Sequence, residues 1–396
     1  MLRIDMLTRE YPPHIYGGAG VHVTELAAVL SKKLDVRIRC FDGPRSEAKV
    51  TGYTEPQDLK DANATLATMA TNLYMAKDTV GADLVHSHTW YANFAGHVSK
   101  LLHDVPHVIS AHSLEPLRPW KAEQLGGGYR VSSFIERTAY LSADAVIAVS
   151  AGMREDVLRS YPDIDPEKVR VVHNGIDLEG WQRNDDPDSV RRWGINPDQP
   201  SVVFVGRITR QKGLPYLLRA AAHLPPHVQL VLCAGAPDTP ELMAEVRQLV
   251  ADLRAQREGV VWIDDMLPRE ELTAILSAAT TFVCPSVYEP LGIVNLEAMA
   301  CETPVVGSGT GGIPEVVTHG EVGTIVPIEQ LSDGTGEPID PQKFVSDLAQ
   351  ALNEMVADPE RARELGRAAR KRVEDYFSWD AIAERTIAVY DSVLHT

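Results

Sequence analysis

From Ser201 to Val205 the chain restarts a pattern that it has already run through once. Short apolar stretches with strand character alternate with helical stretches, and most of the strands end in glycine or polar residues. Such alternation belongs to a parallel sheet crossed by helices. In the first half, strands are expected at Leu2–Leu7, Val36–Phe41, Asp83–His86, His107–Ala111, Asp144–Ser150 and Val169–His173. The second half repeats them at Ser201–Val205, Gln229–Ala234, Val260–Ile263, Thr281–Cys284 and Pro304–Gly307. Two consecutive runs predict an α/β chain with two Rossmann-like domains facing a central cleft. The first domain is expected to close near residue 180 and the second to span 181–377. The Asp-, Asn- and Pro-rich segment Asn184–Pro200 is expected to connect them.

Composition excludes several function classes. A chain of 396 residues with 44% hydrophobic and 23% charged residues holds two full cores and no large disordered region. A net charge of -17 argues against nucleic acid or an anionic membrane as the main partner. The four cysteines, Cys40, Cys233, Cys284 and Cys301, lack paired metal-ligand spacing. Cys40, Cys233 and Cys284 sit in apolar strand-like runs and read as buried, reduced thiols. Met1–Met6 reads as a strand rather than a signal peptide, and no run reaches membrane-spanning length. A soluble cytoplasmic protein is expected.

The stretch Ser286–Met299 carries the most chemistry. A strand runs into a loop with Glu289, Pro290 and Gly292, and a helix is expected from about Leu291, carrying Glu297. At about 3.6 residues per turn, the spacing Glu289-x7-Glu297 puts both carboxylates near one face. Between them the N–H groups of Gly292, Ile293 and Val294 open at the helix start, where phosphate binds. A phosphate flanked by two carboxylates suits a nucleotide sugar, although a plain strand–loop–helix with a solvated glutamate has the same pattern. Arg207 and Lys212 follow the Ser201–Val205 strand on a loop bounded by Gly206 and Gly213. Two fixed cations there could neutralise a departing diphosphate in place of a metal. The loop Asp264–Pro268, with Met266 at its centre, suits a nucleoside base. The literal Asp186-Pro-Asp188 lies in a turn-rich segment and is rejected as a metal site.

In the first half, Tyr16-Gly17-Gly18-Ala19-Gly20 joins the first strand to a helix expected over Val21–Lys33. The glycines admit a phosphate or sugar close to the backbone, or serve a simple tight turn. His86-Ser-His88-Thr-Trp90 has no third metal ligand nearby in sequence. It reads instead as a sugar platform, with Trp90 as a stacking face and the histidines as polar edges. His112 stands at the end of a parallel strand, where ligands gather. Arg118, Lys121, Arg130 and Arg137 are interleaved with Trp120, Tyr129 and three glycines. They read either as a solvated helix and loop or as an anion site for a phosphorylated acceptor.

Taken together, Tyr16–Gly20, His112, His173-Asn-Gly-Ile-Asp177, Gly206-Arg207 with Gln211-Lys212-Gly213, and Glu289-x7-Glu297 resemble glycosyltransferase family 4 of the GT-B fold. Within it, His112-Ser-Leu-Glu-Pro-Leu-Arg through Gly128 is similar to the bacterial glycogen synthases and α-maltose-1-phosphate synthases. The resemblance implies retaining, metal-independent transfer of glucose from ADP-glucose to glucose-1-phosphate or an α-1,4-glucan. It implies no cofactor beyond the nucleotide sugar, and a last helix, about 378–396, that packs back on the first domain. Arg207 and Lys212 would hold the diphosphate and, with His112 and Glu289, form the reaction centre. Gly18, Met266, Gly292, Ile293, Val294 and Glu297 would complete the donor site. Tyr16, Gly17, His88, Trp90, Arg118, Lys121, Tyr129 and Arg130 would face the acceptor. Tyr16 and Thr89 replace the lysine and aspartate of the better-known starch and glycogen synthases, which favours the smaller, phosphorylated acceptor. A homodimer is compatible with this reading. So are another family-4 transferase and a non-catalytic nucleotide-sugar sensor.

Overall fold

The computed structural model describes residues 1–118 and 121–394. The chain divides into two compact units, Met1–Gly175 with Trp379–Thr396, and Ile176–Ser378.

The first unit is built on β1 (Arg3–Leu7), β2 (Asp35–Cys40), β3 (Val50–Gly52), β4 (Leu84–His88), β5 (His107–Ala111), β6 (Ala145–Ala148) and β7 (Val169–Val171). They form one sheet in the order β3-β2-β1-β4-β5-β6-β7, parallel throughout. Every residue of β4 and β5 is buried, as helices covering both faces of a parallel sheet require. The second unit contains β8 (Ser201–Arg207), β9 (Gln229–Gly235), β10 (Val260–Ile263), β11 (Thr281–Cys284), β12 (Val305–Ser308) and β13 (Gly323–Val326). Its order is β10-β9-β8-β11-β12-β13, again all parallel. Each sheet reverses its winding once, between β1 and β4 and between β8 and β11. In open parallel sheets ligands gather beyond the carboxyl ends of the strands at such a reversal.

Core packing follows from the strand sequences. Val202, Phe204, Leu230, Leu232 and Val283 pack against Leu214, Leu217 and Leu218 of the helix Leu214–Ala221 and against Phe344 and Leu348 of Pro341–Ala357. In the first unit Ile4, Met6 and Val36 meet Val23 and Leu26, and then Trp379, Ile382 and Tyr390 of the last helix, Trp379–Leu394. Tyr390 Oη lies 2.7 Å from His86 Nδ1, which anchors that helix to β4. All four cysteines are free. Burial pushes the Cys40 thiol up to about 11 and those of Cys233 and Cys301 to about 12, so they stay protonated. Cys233 is only partly buried. Among the described residues no helix is long and apolar enough to cross a membrane.

Several expectations need correction. The strands β3 and β13 were not anticipated, because β3 has only three residues, none of them buried, and β13 contains just two consecutive apolar residues. The chain passes between the units at Gly175–Ile176, and Asn184–Pro200 lies wholly inside the second unit. Its polar groups bond within the segment and to the rest of that unit, as Trp193 Nε1 does to Glu271 Oε2 at 2.7 Å. Asp186 accepts from the Asp188 amide at 3.0 Å and from Ser189 Oγ at 2.5 Å, capping the short helix Pro187–Arg191.

Tyr390→Phe leaves the buried His86 Nδ1 without its partner and removes about 1–3 kcal/mol of stability. A lowered denaturation midpoint, followed by tryptophan fluorescence in urea, checks this.

Candidate active site

In the second unit, two strand-to-helix loops on either side of the winding reversal meet in an ion pair. After β8 the chain turns through Arg210–Lys212 to Gly213, and after β11 it passes Ser286 to Glu289. Val287 N donates to Gln211 O at 2.9 Å and ties the loops together. Lys212 Nζ then lies 2.7 Å from Glu289 Oε2, which also accepts from Ser286 Oγ at 3.1 Å. The Glu289 backbone is fixed as well. Gly312 N donates to its carbonyl at 3.0 Å. Gly311, at φ 52°, lies so close that a Cβ would collide with the same carbonyl. Burial by itself would pull the Lys212 ammonium down, but the acidic groups around it, Glu289 foremost with Cys284 and Glu297, together hold it above its ordinary value.

The following helix spans Ile293–Ala300, beginning two residues beyond Leu291. Gly292 has φ 88°, which helical geometry excludes, and no side chain caps this helix. The amides of Ile293 and Val294 therefore have no intrahelical partner. Glu297, one face along, is half-buried. Burial pushes its carboxyl up to about 7, against the pull of Arg269 and Lys212. Arg207, at the end of β8, is half-exposed and pairs with Asp238 at 2.9 Å. Met266 is 90% exposed on its loop.

In the first unit the glycine-rich loop begins its helix at once. The helix spans Gly18–Leu30 and starts from Gly17 with no side-chain cap, earlier than Val21. Glu10 Oε2 accepts from both Tyr16 N and Gly17 N at 2.8 Å. A Cβ at Gly20 would stand 2.8 Å from this Glu10 side chain. Tyr16 is exposed, and its hydroxyl reaches Asp42 at 3.3 Å.

Beyond β4, Thr89 has φ 63°, a strained conformation for a β-branched residue. Trp90 then opens the helix Trp90–His103. Its ring is 5% exposed and stacked on Tyr91 with centroids 4.1 Å apart, so it offers no open face as a sugar platform. His88 is fully buried and presents no polar edge outward either. Its Nδ1 lies 3.0 Å from Nε2 of His112, which follows β5 and is partly exposed. Burial pushes the His112 imidazole down to about 4, so it is neutral at physiological pH.

The basic segment rests on a buried acidic base. Arg118 Nη1 donates to Ser113 Oγ at 3.1 Å, and Tyr129 Oη to the Glu115 carbonyl at 2.7 Å. Lys121 begins the helix Lys121–Leu125, Arg130 is exposed, and Trp120 lies outside the described residues. Arg137 pairs instead with Asp163 at 2.9 Å. Beneath them, Glu115 N donates to Glu136 Oε1 at 2.8 Å, Ser132 Oγ to Glu115 Oε2 at 2.5 Å, and Tyr161 Oη to Glu136. Burial and the neighbouring Glu115 push the Glu136 carboxyl up to about 8. Sequence reasoning missed Glu10, His22, Glu136, Asp238 and Ser286. Only Ser286, three residues before Glu289, carried a signal that could have found it.

Residues 16–179 match the model of glycosyltransferase family 4, and residues 185–372 that of glycosyl transferases group 1. The chain is 54% identical over 395 residues to the α-maltose-1-phosphate synthase of Mycolicibacterium smegmatis, covering 99% of this chain and 100% of that protein. It is 29% identical over 422 residues to the glycogen synthase of Mycobacterium tuberculosis, covering 98% and 94% respectively. Among solved structures, sucrose-phosphate synthase from Thermosynechococcus elongatus aligns over 100% of both chains, with a TM-score of 0.77 and 25% identity. The chain therefore belongs to glycosyltransferase family 4, as a glucosyltransferase of the GT-B fold in the subgroup of α-maltose-1-phosphate synthases and bacterial glycogen synthases.

Proposed function

We propose that this enzyme moves glucose from ADP-glucose to glucose-1-phosphate, giving α-maltose-1-phosphate and ADP. The observation that carries the chemistry is the Lys212–Glu289 pair beside an uncapped helix start, a cation and a carboxylate fixed within one loop cluster. Phosphate–sugar linkage needs both at adjacent points. The choice of acceptor is supported by full-length identity of 54% to an α-maltose-1-phosphate synthase, against 29% to a glycogen synthase.

Lys212, Arg207 and the amides of Gly292, Ile293 and Val294 hold the diphosphate, and Gly18 contributes an amide from its own helix start. Glu289 accepts from donor-sugar hydroxyls near the anomeric carbon, and Glu297 from the ribose hydroxyls. The Met266 loop borders the base. Neutral His112 contacts the 6-hydroxyl of the donor sugar. The acceptor's phosphate is met by Arg118, Lys121 and Arg130, with Tyr16, Gly17 and Tyr129 beside its sugar. His88 and Trp90 act on the acceptor side only through the residues they pack against.

As the bond from the anomeric carbon to the diphosphate breaks, the 4-oxygen of glucose-1-phosphate bonds to that carbon on the same face. Its proton passes to the departing phosphate oxygen, so configuration is retained and no enzymic base is consumed. Charge grows on the leaving diphosphate, and two fixed side-chain cations meet it without a metal. Glu289 stabilises positive charge on the sugar and orients it.

ADP release from ADP-glucose, with glucose-1-phosphate and glycogen offered separately, tests the assignment. Fast release is expected with glucose-1-phosphate, and release with glycogen alone overturns the acceptor. Lys212→Ala lowers kcat by about 10²–10³-fold, the cost of a lost transition-state donor; near-normal turnover in a folded variant removes Lys212 from this role. Arg118→Ala raises the KM for glucose-1-phosphate about tenfold and leaves that for ADP-glucose unchanged, as loss of one charge-assisted contact demands. Initial-rate kinetics with each substrate varied separate the two.

A further inference from the structure

Three histidines far apart in sequence meet inside the first unit. His22 lies on the helix Gly18–Leu30, His88 ends β4 and His112 follows β5. One ring nitrogen from each lies within 4.8 Å of the other two. Ring centroids are 4.7 Å apart for His22 and His112, 5.6 Å for His22 and His88, and 5.3 Å for His88 and His112. Nε2 of His88 is buried without a hydrogen-bond partner, and the two nitrogens of His22 and Oδ1 of Asn174 are buried with no well-formed hydrogen bond, Asn174 standing close enough to His22 to favour its charged form weakly. Each such buried group costs roughly 1–3 kcal/mol, and folded proteins seldom leave several together without a use for them. Desolvation holds His22 and His88 well below their ordinary values and His112 at about 4, so all three rings offer a lone pair. No other such trio occurs among the described residues.

We propose that His22, His88 and His112 form a transition-metal site that takes Zn²⁺ or a similar divalent ion as an inhibitor. A donor set of imidazole nitrogens alone selects Zn, Co, Ni or Cu over Mg or Ca. Tetrahedral bonds of about 2.0–2.1 Å place the nitrogens roughly 3.3 Å apart, so the rings draw in by at most about 1.5 Å. Each neutral ring keeps its single proton on the nitrogen that does not ligate, and the His88–His112 hydrogen bond is given up. His112 is partly exposed, which provides entry and leaves a fourth position for water. The site stands on geometry alone. Inhibition rests on the proposed place of His112 at the reaction centre.

Chelator-treated full-length protein is titrated with Co²⁺ while the visible absorption of tetrahedral cobalt is recorded. One equivalent should bind and be displaced by Zn²⁺. His22→Phe keeps a ring in the packing and removes both nitrogens, and His22→Asn is a second variant; thermal unfolding verifies that each folds. Loss of a ligand weakens Co²⁺ by more than the roughly 10–100-fold that loss of a ligand's outer hydrogen-bond partner costs. A parent without the absorption, or a folded variant with unchanged affinity, overturns the site. In parallel, Zn²⁺ should suppress ADP release by the parent, EDTA should restore it, and His22→Phe should resist. Binding without inhibition upholds the metal site and overturns its inhibitory role, together with the placement of His112 at the reaction centre.

Discussion

The ion pair between Lys212 and Glu289 is the constraint around which the second unit is arranged. Removing both charges from water costs several kcal/mol per ion, and a pair 2.7 Å apart recovers that only with good geometry and further hydrogen bonds. Ser286 supplies one such bond, and Gly311 and Gly312 hold the glutamate's backbone in place. Hydrophobic residues of similar volume would suit the fold at least as well. The pair is therefore best understood through what it does for a ligand. In the proposed reaction it keeps a cation and a carboxylate desolvated and oriented before substrate arrives, so that little reorganisation is left.

Topology explains why that pair stands where it does. In a parallel sheet every strand points the same way, so all strand-to-helix loops gather at one edge. The winding reversal falls between β8 and β11, and the loops that leave these two strands carry Lys212 and Glu289. The first unit repeats the arrangement between β1 and β4, with the glycine loop after one strand and His88–Trp90 after the other. His112 follows the adjacent β5.

Much of this was legible in the sequence, because apolar strands and glycine-bounded loops are local signals. The strands at Ser201, Gln229 and Thr281, and the loops bearing Arg207, Lys212 and Glu289, could be read from spacing alone. What failed was whatever depended on burial. Trp90 and His88 have the residue types of a sugar platform, but packing beneath Tyr91 and His112 closes them off. A polar segment such as Asn184–Pro200 looks like a connection until Asp186 is seen to cap a helix inside the second unit. Glu10 and Asp238 escaped because each finds its partner through a turn of the chain that no periodicity encodes.

Three helix starts beside the winding reversals leave backbone donors open. Helices at Ala64, Ala151, Pro240, Pro341 and Pro359 are capped by the side chains of Asn63, Ser150, Thr239, Asp340 and Asp358. Those at Gly18, Leu214 and Ile293 start from glycine with no side-chain cap. Glycine in place of a capping side chain gives up only a few tenths of a kcal/mol, although an alanine there would cost about 1 kcal/mol. Glycine is thus the residue that leaves the amides open at the least cost to the helix. These three starts follow strands that flank a winding reversal, while the helices at Trp90, Gly128, Arg269 and Ile313 also begin without a side-chain cap. In the proposed function, substrate anions complete what is left unpaired at these starts, so that binding and local folding draw on the same hydrogen-bond donors.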